Sequence, residues 1–233
     1  MARTLHSFVN SFSNRLEPPL RTHLKNVYGC LTLSAVSAAA GAYAHLFTQI
    51  QAGLLSTLGG IGLLIALGTT PDNGKNQKLR LGYLLGFAFL SGLGLGPLLE
   101  IVIAIDPSII VTSLVGTALV FVSFTISSLF APRGQWLYLG GTLISFSNIT
   151  VLLLLANIFL RSVLIYQIQL YLGLFLMCGF IVFDTQLIVE KFHMGSKDFI
   201  AHSLELFIDF YRVFRYLVEI LTIKEQNNRK RKE

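Results

Sequence analysis

Seven long apolar runs, separated by short polar breaks, fill the chain from residue 27 onward: 27–47, 52–70, 81–105, 108–130, 136–159, 163–190 and 202–223. Each approaches or exceeds the ~20 residues that carry a helix across a ~30 Å hydrocarbon core. None alternates apolar and polar residues with period two, so the pattern predicts helices rather than barrel strands. The short breaks predict that sequential helices pack as antiparallel neighbours. The expected organisation is a tail over 1–26, a seven-helix membrane domain over 27–223 and a basic tail over 224–233.

Composition strengthens this reading. Of 233 residues, 53% are hydrophobic and 13% charged, and the mean hydropathy is +0.66. A soluble domain carries about 25% charged residues. The fold class expected is therefore an all-α integral membrane protein. The net charge of +6 comes from basic residues gathered at segment ends, which suits attraction to membrane lipids and excludes a basic face for nucleic acid. Cys30 and Cys178 fall inside apolar runs and give no disulfide framework. In the first tail, Arg15, Glu17, Pro18, Pro19 and Arg21 break up any cleavable signal core. His6, Phe8, Val9 and Phe12 there fit either a short membrane-surface helix or a solvated tail.

Small residues recur at helix-packing spacing: Ala35, Ser37 to Ala40 and Gly41 in the first run, Gly82/Gly86 and Gly92/Gly96 in the third. The SGLGLGP stretch at 91–97 lacks the Lys-Ser/Thr ending of a phosphate loop, so its glycines are expected to serve close packing or a kink before Pro97.

Ionisable groups inside the apolar runs concentrate in the last two. Asp184 lies twelve residues before Ser196 and Asp209 thirteen after it, with a polar turn between the runs. In an antiparallel hairpin both carboxylates lie at similar depth, roughly 9–12 Å below the turn, and can face each other. Glu205, Asp209, Arg212, Tyr216 and Glu219 share one helical face. That face is excluded from lipid, which predicts a polar last helix at the centre of a seven-helix transmembrane bundle. Two facing carboxylates can share a proton, pair with a cation such as Arg212 or Arg215, or bind a hard cation, for which Ca²⁺ is the natural candidate. These states compete, which describes a pH-sensitive latch on a cation path; the alternative is a purely structural polar lock. Glu205 is a further possible charge partner. Glu100 reads either as a headgroup-level acid or as another acid lining a cavity.

Enzyme chemistry finds little support. His202-x-x-Glu205 and His193 do not complete a di-metal pattern. All five histidines, at 6, 23, 45, 193 and 202, lie in tails or near segment ends, and the serines read as helix-packing hydroxyls. No tightly bound cofactor is expected.

Lys and Arg count place the N-terminus on the cytoplasmic side, with the breaks holding Lys75, Lys78 and Arg80, then Arg133, then Lys191 and Lys197. The strongly basic C-terminal tail then conflicts with seven full crossings. Either the charge rule fails at the last helix or that helix does not fully cross.

The stretches LLGFAFLSGLGLGPLLE (84–100), MCGFIVFDTQLIVEK (177–191) and HSLELFIDFYRVFRYL (202–217), followed by a Lys/Arg-rich tail, resemble the Bax inhibitor family of transmembrane Bax-inhibitor-motif proteins, in its eukaryotic endoplasmic-reticulum branch. The resemblance implies a seven-helix fold with the last helix central. It implies a multi-pass endoplasmic-reticulum membrane protein that suppresses apoptosis and passes Ca²⁺, as transported ion, in a pH-dependent way. The family's pH-sensing aspartate pair matches Asp184 and Asp209. Some relatives latch an arginine of the second helix onto this pair; none lies within 52–70. The resemblance also implies a basic cytosolic tail, in which Lys230 and Arg231 are only weakly retrieval-like. The alternative expectation is an interaction scaffold for membrane-bound apoptosis regulators.

Overall fold

A computed structural model describes residues 17–48 and 50–231; the proposed surface helix around His6 and Phe12 lies outside them. The described residues form seven helices: α1 (Pro18–Phe47), α2 (Leu54–Thr69), α3 (Gln77–Ile105), α4 (Ser108–Phe130), α5 (Leu139–Leu160), α6 (Val163–His193) and α7 (Phe199–Lys230). Among the described residues there is no strand. Five helices (α1, α3, α4, α5 and α6) are long and apolar enough to cross a membrane. Helix α2 has 16 residues, about 24 Å at 1.5 Å per residue, and α7 is long but interrupted by charge.

Local signals set the helix starts. Pro18 and Pro19 open α1, where a missing N–H costs nothing. Ser162 and Asp198 cap α6 and α7 by accepting from the N–H groups of Ile165 and Ala201. The α6–α7 turn passes through Gly195 at φ 99°, a conformation in which a side chain would clash.

Helix α7 is the hub. It packs against α6, α1, α4 and α3, and its Leu206, Phe207 and Val213 join one core with Leu24 and Val27 of α1, Phe121 of α4 and Ile181 and Ile188 of α6. It is a single uninterrupted helix of 32 residues. It begins beside the N-terminal end of α1 and finishes at the opposite end of the bundle, where Arg229 donates to the Ile105 carbonyl oxygen that closes α3. The last helix therefore traverses the whole bundle. The basic end of α7 and the start of α1 lie at opposite ends of the bundle.

Neighbour order also differs from simple sequential pairing. The main partner of α1 is α3 rather than α2. A side chain at Gly92 would collide with the Ala38 backbone, and one at Gly41 with the Phe89 backbone. These glycines let two backbones touch and gain dispersion contacts that lipid cannot replace. The Ser37 hydroxyl adds a bond to the Leu85 carbonyl at 2.8 Å. The SGLGLGP glycines thus serve packing, and α3 continues through Pro97. Helix α5 packs on α6 and buries little beyond Gly140 and Leu143.

Polar clamps hold the entry of α7. Arg80 of α3, with only 5% of its side chain exposed, reaches Asp198 at 2.5 Å and Asp72 at 3.4 Å. Arg133 forks onto Glu190 with two bonds of 2.7 and 2.8 Å. Ser203 of α7 donates to the Val27 carbonyl of α1 at 2.9 Å. Burial acts to raise the Asp198 carboxyl, but the Arg80 bond, the Ala201 N–H and nearby positive charge outweigh it and hold it below the usual carboxylate range.

Two outcomes are expected of detergent-solubilised protein. Gly92→Ala costs about 1–3 kcal/mol by overpacking, while Gly94→Ala, which meets open space, leaves the unfolding midpoint unchanged or raises it; equal midpoints would contradict the close α1–α3 approach. Arg80→Met costs about 3–5 kcal/mol by stranding Asp198. Because the Asp198 value is lowered on folding, its contribution is complete above its ordinary value of 3.8 and is lost as pH falls through the native one. Unfolding curves of native protein and Arg80→Met should thus begin to approach each other only below pH 3.8 and meet once pH passes below the lowered native value.

Candidate functional site

The α6–α7 hairpin places Asp184 and Asp209 against each other, with their carboxyls within hydrogen-bonding reach. Asp209 is 4% exposed, and its Oδ2 is sealed from solvent with no protein donor. Ionised carboxylates only accept. The contact is therefore a hydrogen bond only when one of the two holds a proton, and is a like-charge repulsion otherwise. Ile181 and Ile188 above and below on α6, with Leu206 and Val213 on α7, are all inaccessible. The pair thus lies on an apolar helix–helix seam with Asp209 buried and Asp184 partly exposed, where charge is less screened than in water.

The other anticipated residues separate into three groups. Glu205 and Arg212 lie near enough to act on the pair electrostatically, as does Lys191. Glu205 is bound by Lys191 Nζ at 2.5 Å, an α6–α7 clasp between the turn and the aspartates. Arg212 makes no direct ion pair with either aspartate among the described residues. It is exposed, contrary to the expectation that the whole polar face packs inside. The reason is the position of α5: between α5, α6 and α7 a cleft of 330 Å³ opens, lined by Thr150, Gln169, Arg212 and Glu219 among others. Arg215 faces the same cleft and is committed to Glu219 at 2.8 Å, whose other oxygen accepts from the Tyr166 hydroxyl at 2.8 Å. Glu100 is remote from the pair. Its side chain is 59% exposed and sits 3.2 Å from His45 Nε2, while His45 Nδ1 accepts from the Ala52 N–H at 3.0 Å. The exposed-acid reading of Glu100 describes it, and a role beside the aspartates does not.

Among the described residues, no group of three or more His, Cys, Asp or Glu side chains forms a cluster able to hold a metal ion. His202 and Glu205, adjacent on one helical face, turn to different partners. Glu205 meets Lys191, and the His202 ring lies 2.9 Å from the ring of His23.

That histidine pair escaped sequence reasoning. His23 and His202 are both buried, at 6% and 2% exposure, and join α1 to α7 across 179 residues of chain. One ring must donate and the other accept, with the tautomer assigned by that bond. Phe192 stacks on His23 with ring centroids 4.9 Å apart. Each histidine lies near a helix end, where sequence alone suggests a solvated position. A second overlooked feature is the buried face of α4, which reads Ile109, Ser113, Thr117, Phe121, Thr125, Ser128. The spacing of four was visible, but which face of α4 is buried was not.

The family model for inhibitors of apoptosis-promoting Bax1 matches residues 20–226. Bax inhibitor 1 of Bos taurus is 49% identical over 220 residues, which cover 94% of this chain and 93% of the relative. Bax inhibitor 1 of Homo sapiens is 48% identical over 221 residues, with 94% and 93% covered. Bax inhibitor 1 of Arabidopsis thaliana is 42% identical over 215 residues, with 92% and 85% covered. The buried aspartate hairpin thus stands in a multi-pass helical membrane protein that belongs to the Bax inhibitor family.

Proposed function

We propose that this chain is an endoplasmic-reticulum membrane protein that suppresses apoptosis and mediates a pH-dependent Ca²⁺ leak through Asp184 and Asp209. The observation that carries the proposal is the contact of two carboxyls on the apolar α6–α7 seam at the centre of the bundle. A shared proton holds α6 and α7 together there. Loss of that proton leaves two like charges in contact, which repel until a cation or a separation of the helices relieves them. The pair alone offers four carboxylate oxygens, fewer than the roughly six to eight that a tightly held Ca²⁺ takes. Such a site suits an ion in transit rather than a resident one. Lys191, held by Glu205, and Arg212 at the α5 cleft are cations placed to compete with that ion.

The anti-apoptotic part rests on the family's description and on relatives named Bax inhibitor 1. A cytoplasmic N-terminus is supported by the end of the bundle that gathers Arg21, Lys25, Lys75, Lys78, Arg80, Arg133, Lys191 and Lys197. With that orientation, the traverse of α7 carries the basic tail to the lumenal end. A second reading, a scaffold for membrane-bound apoptosis regulators without transport of its own, is favoured by α5. Its Leu152 and Phe159 are 65% and 85% exposed, and its packing is confined largely to α6, which leaves an apolar flank free for lipid or for another membrane helix.

Ca²⁺ efflux from proteoliposomes across pH 5 to 8 separates the readings. The native chain is expected to show flux that changes by at most about tenfold per pH unit, the limit for one shared proton. Asp184→Asn and Asp209→Asn are each expected to flatten that dependence at equal reconstituted amounts. Folded variants that reproduce the native curve would reduce the pair to a structural lock and leave the scaffold reading in place.

A further inference from the structure

One seam of the bundle stays open. Helix α1 packs on α3 and α7, and α4 packs chiefly on α6 and α7, so α1 and α4 flank α7 without closing over it. Helix α7 forms the floor between them. Its Phe210 meets Phe121 of α4 edge to face, with ring centroids 5.7 Å apart. The groove above has two stretches, of 530 and 260 Å³, and Ala35 and Phe210 line both. Its α1 wall is a single helical face: Lys25, Tyr28, Thr32, Ala35, Ala39 and Ala42 follow one another at intervals of three or four residues.

The two stretches differ in charge. Arg21 and Lys25, one turn apart on α1, line the first at its outer end, and among the described residues no acid lines it. Both cations are exposed and precede the apolar run that begins at residue 27, which sets them at the level of lipid headgroups. Below them the lining is apolar apart from Tyr28, Thr32 and Thr125. Ala35 lies ~15 Å along the helix from Lys25, half of a ~30 Å hydrocarbon core. The first stretch therefore has the length of one leaflet. The second carries no charged side chain. In a membrane an open apolar seam is covered by lipid chains or by another helix. A groove of 530 Å³ seats a chain of methylenes, whereas a helix is 10–12 Å across. The basic mouth then selects a lipid whose headgroup carries a phosphate.

We propose that the α1–α4 groove binds one phospholipid of the leaflet at the N-terminal end of the bundle, with its phosphate at Arg21 and Lys25 and one acyl chain against Ala35, Ala118 and Phe210. The site is independent of the aspartate pair and of any flux through it. The bound chain completes the wall around α7 where α1 and α4 leave it open.

Native mass spectrometry reads the site on full-length protein equilibrated in mixed micelles with phosphatidylglycerol or with a diacylglycerol of the same chains. One phosphatidylglycerol per chain is expected to stay bound, and the diacylglycerol is not. Lys25→Gln is expected to weaken retention by about fivefold. Ala35→Leu and Ala118→Leu fill the groove from opposite walls, and each is expected to abolish retention, so that one variant decides the matter where the other fails to fold. Ala42→Leu, in the uncharged stretch, is expected to leave retention unchanged. Retention that survives both groove-filling substitutions overturns the site. Equal retention of diacylglycerol, or indifference to Lys25→Gln, overturns the phosphate at its mouth. A lipid-free dimer assigns the groove to a second copy of the chain and overturns the proposal as well.

Discussion

A helix with charge along its middle has to be enclosed before it can stand in a membrane, and the rest of this bundle is arranged around that requirement. Helix α7 carries Glu205, Asp209, Arg212, Arg215 and Glu219 within fifteen residues, too polar to face hydrocarbon unaided. Its neighbours answer these groups in turn. Arg80 takes its cap, His23 takes His202, Lys191 takes Glu205 and Tyr166 takes Glu219. Asp209 alone is answered by another acid. Of the buried acids of α7, Asp209 is the one whose neighbour is another acid, and so the one at which a proton has most leverage.

Close packing elsewhere makes this enclosure possible. The glycines of α1 and α3 let two backbones touch, so that α1 can lie over both α3 and α7. Gly173 on α6 leaves the space that the Tyr216 ring occupies. In contrast, α5 stands away from α7 and leaves the cleft onto which Arg212 and Arg215 open. Tight packing on the α1 side and a polar opening on the α5 side make the surroundings of α7 asymmetric. A change in the aspartate contact therefore meets resistance on one flank and space on the other.

The clamps are concentrated where α7 enters. The Arg80, Arg133, Lys191 and histidine contacts all lie near the α6–α7 turn, which ties the hairpin to α1, α3 and the α4–α5 loop. The aspartates lie deeper, beyond this tied end. The hairpin is thus fixed at its turn, with its two acids in contact further along. That geometry joins the polar clamps and the proposed latch in one mechanical unit.

The sequence by itself determined the helical class, most run boundaries to within a few residues (α1 starts at Pro18 rather than 27 and α7 ends at Lys230 rather than 223), the central position of α7 and the facing of Asp184 with Asp209. All of these follow from local rules: hydropathy length, helical periodicity and the symmetry of a hairpin about its turn. Tertiary structure decided what depends on which helices meet. The approach of α1 to α3 turned on glycines that could have faced lipid. The join of His23 to His202 spans 179 residues, and nothing in either residue's neighbourhood announces the other. Arg212 shares a helical face with Asp209, but its exposure follows from the distance at which α5 packs, which no periodicity encodes. The end of the bundle reached by α7 was likewise undecidable from charge counting, because basic residues occupy both ends; the uninterrupted helix and its Arg229 contact with Ile105 resolve it.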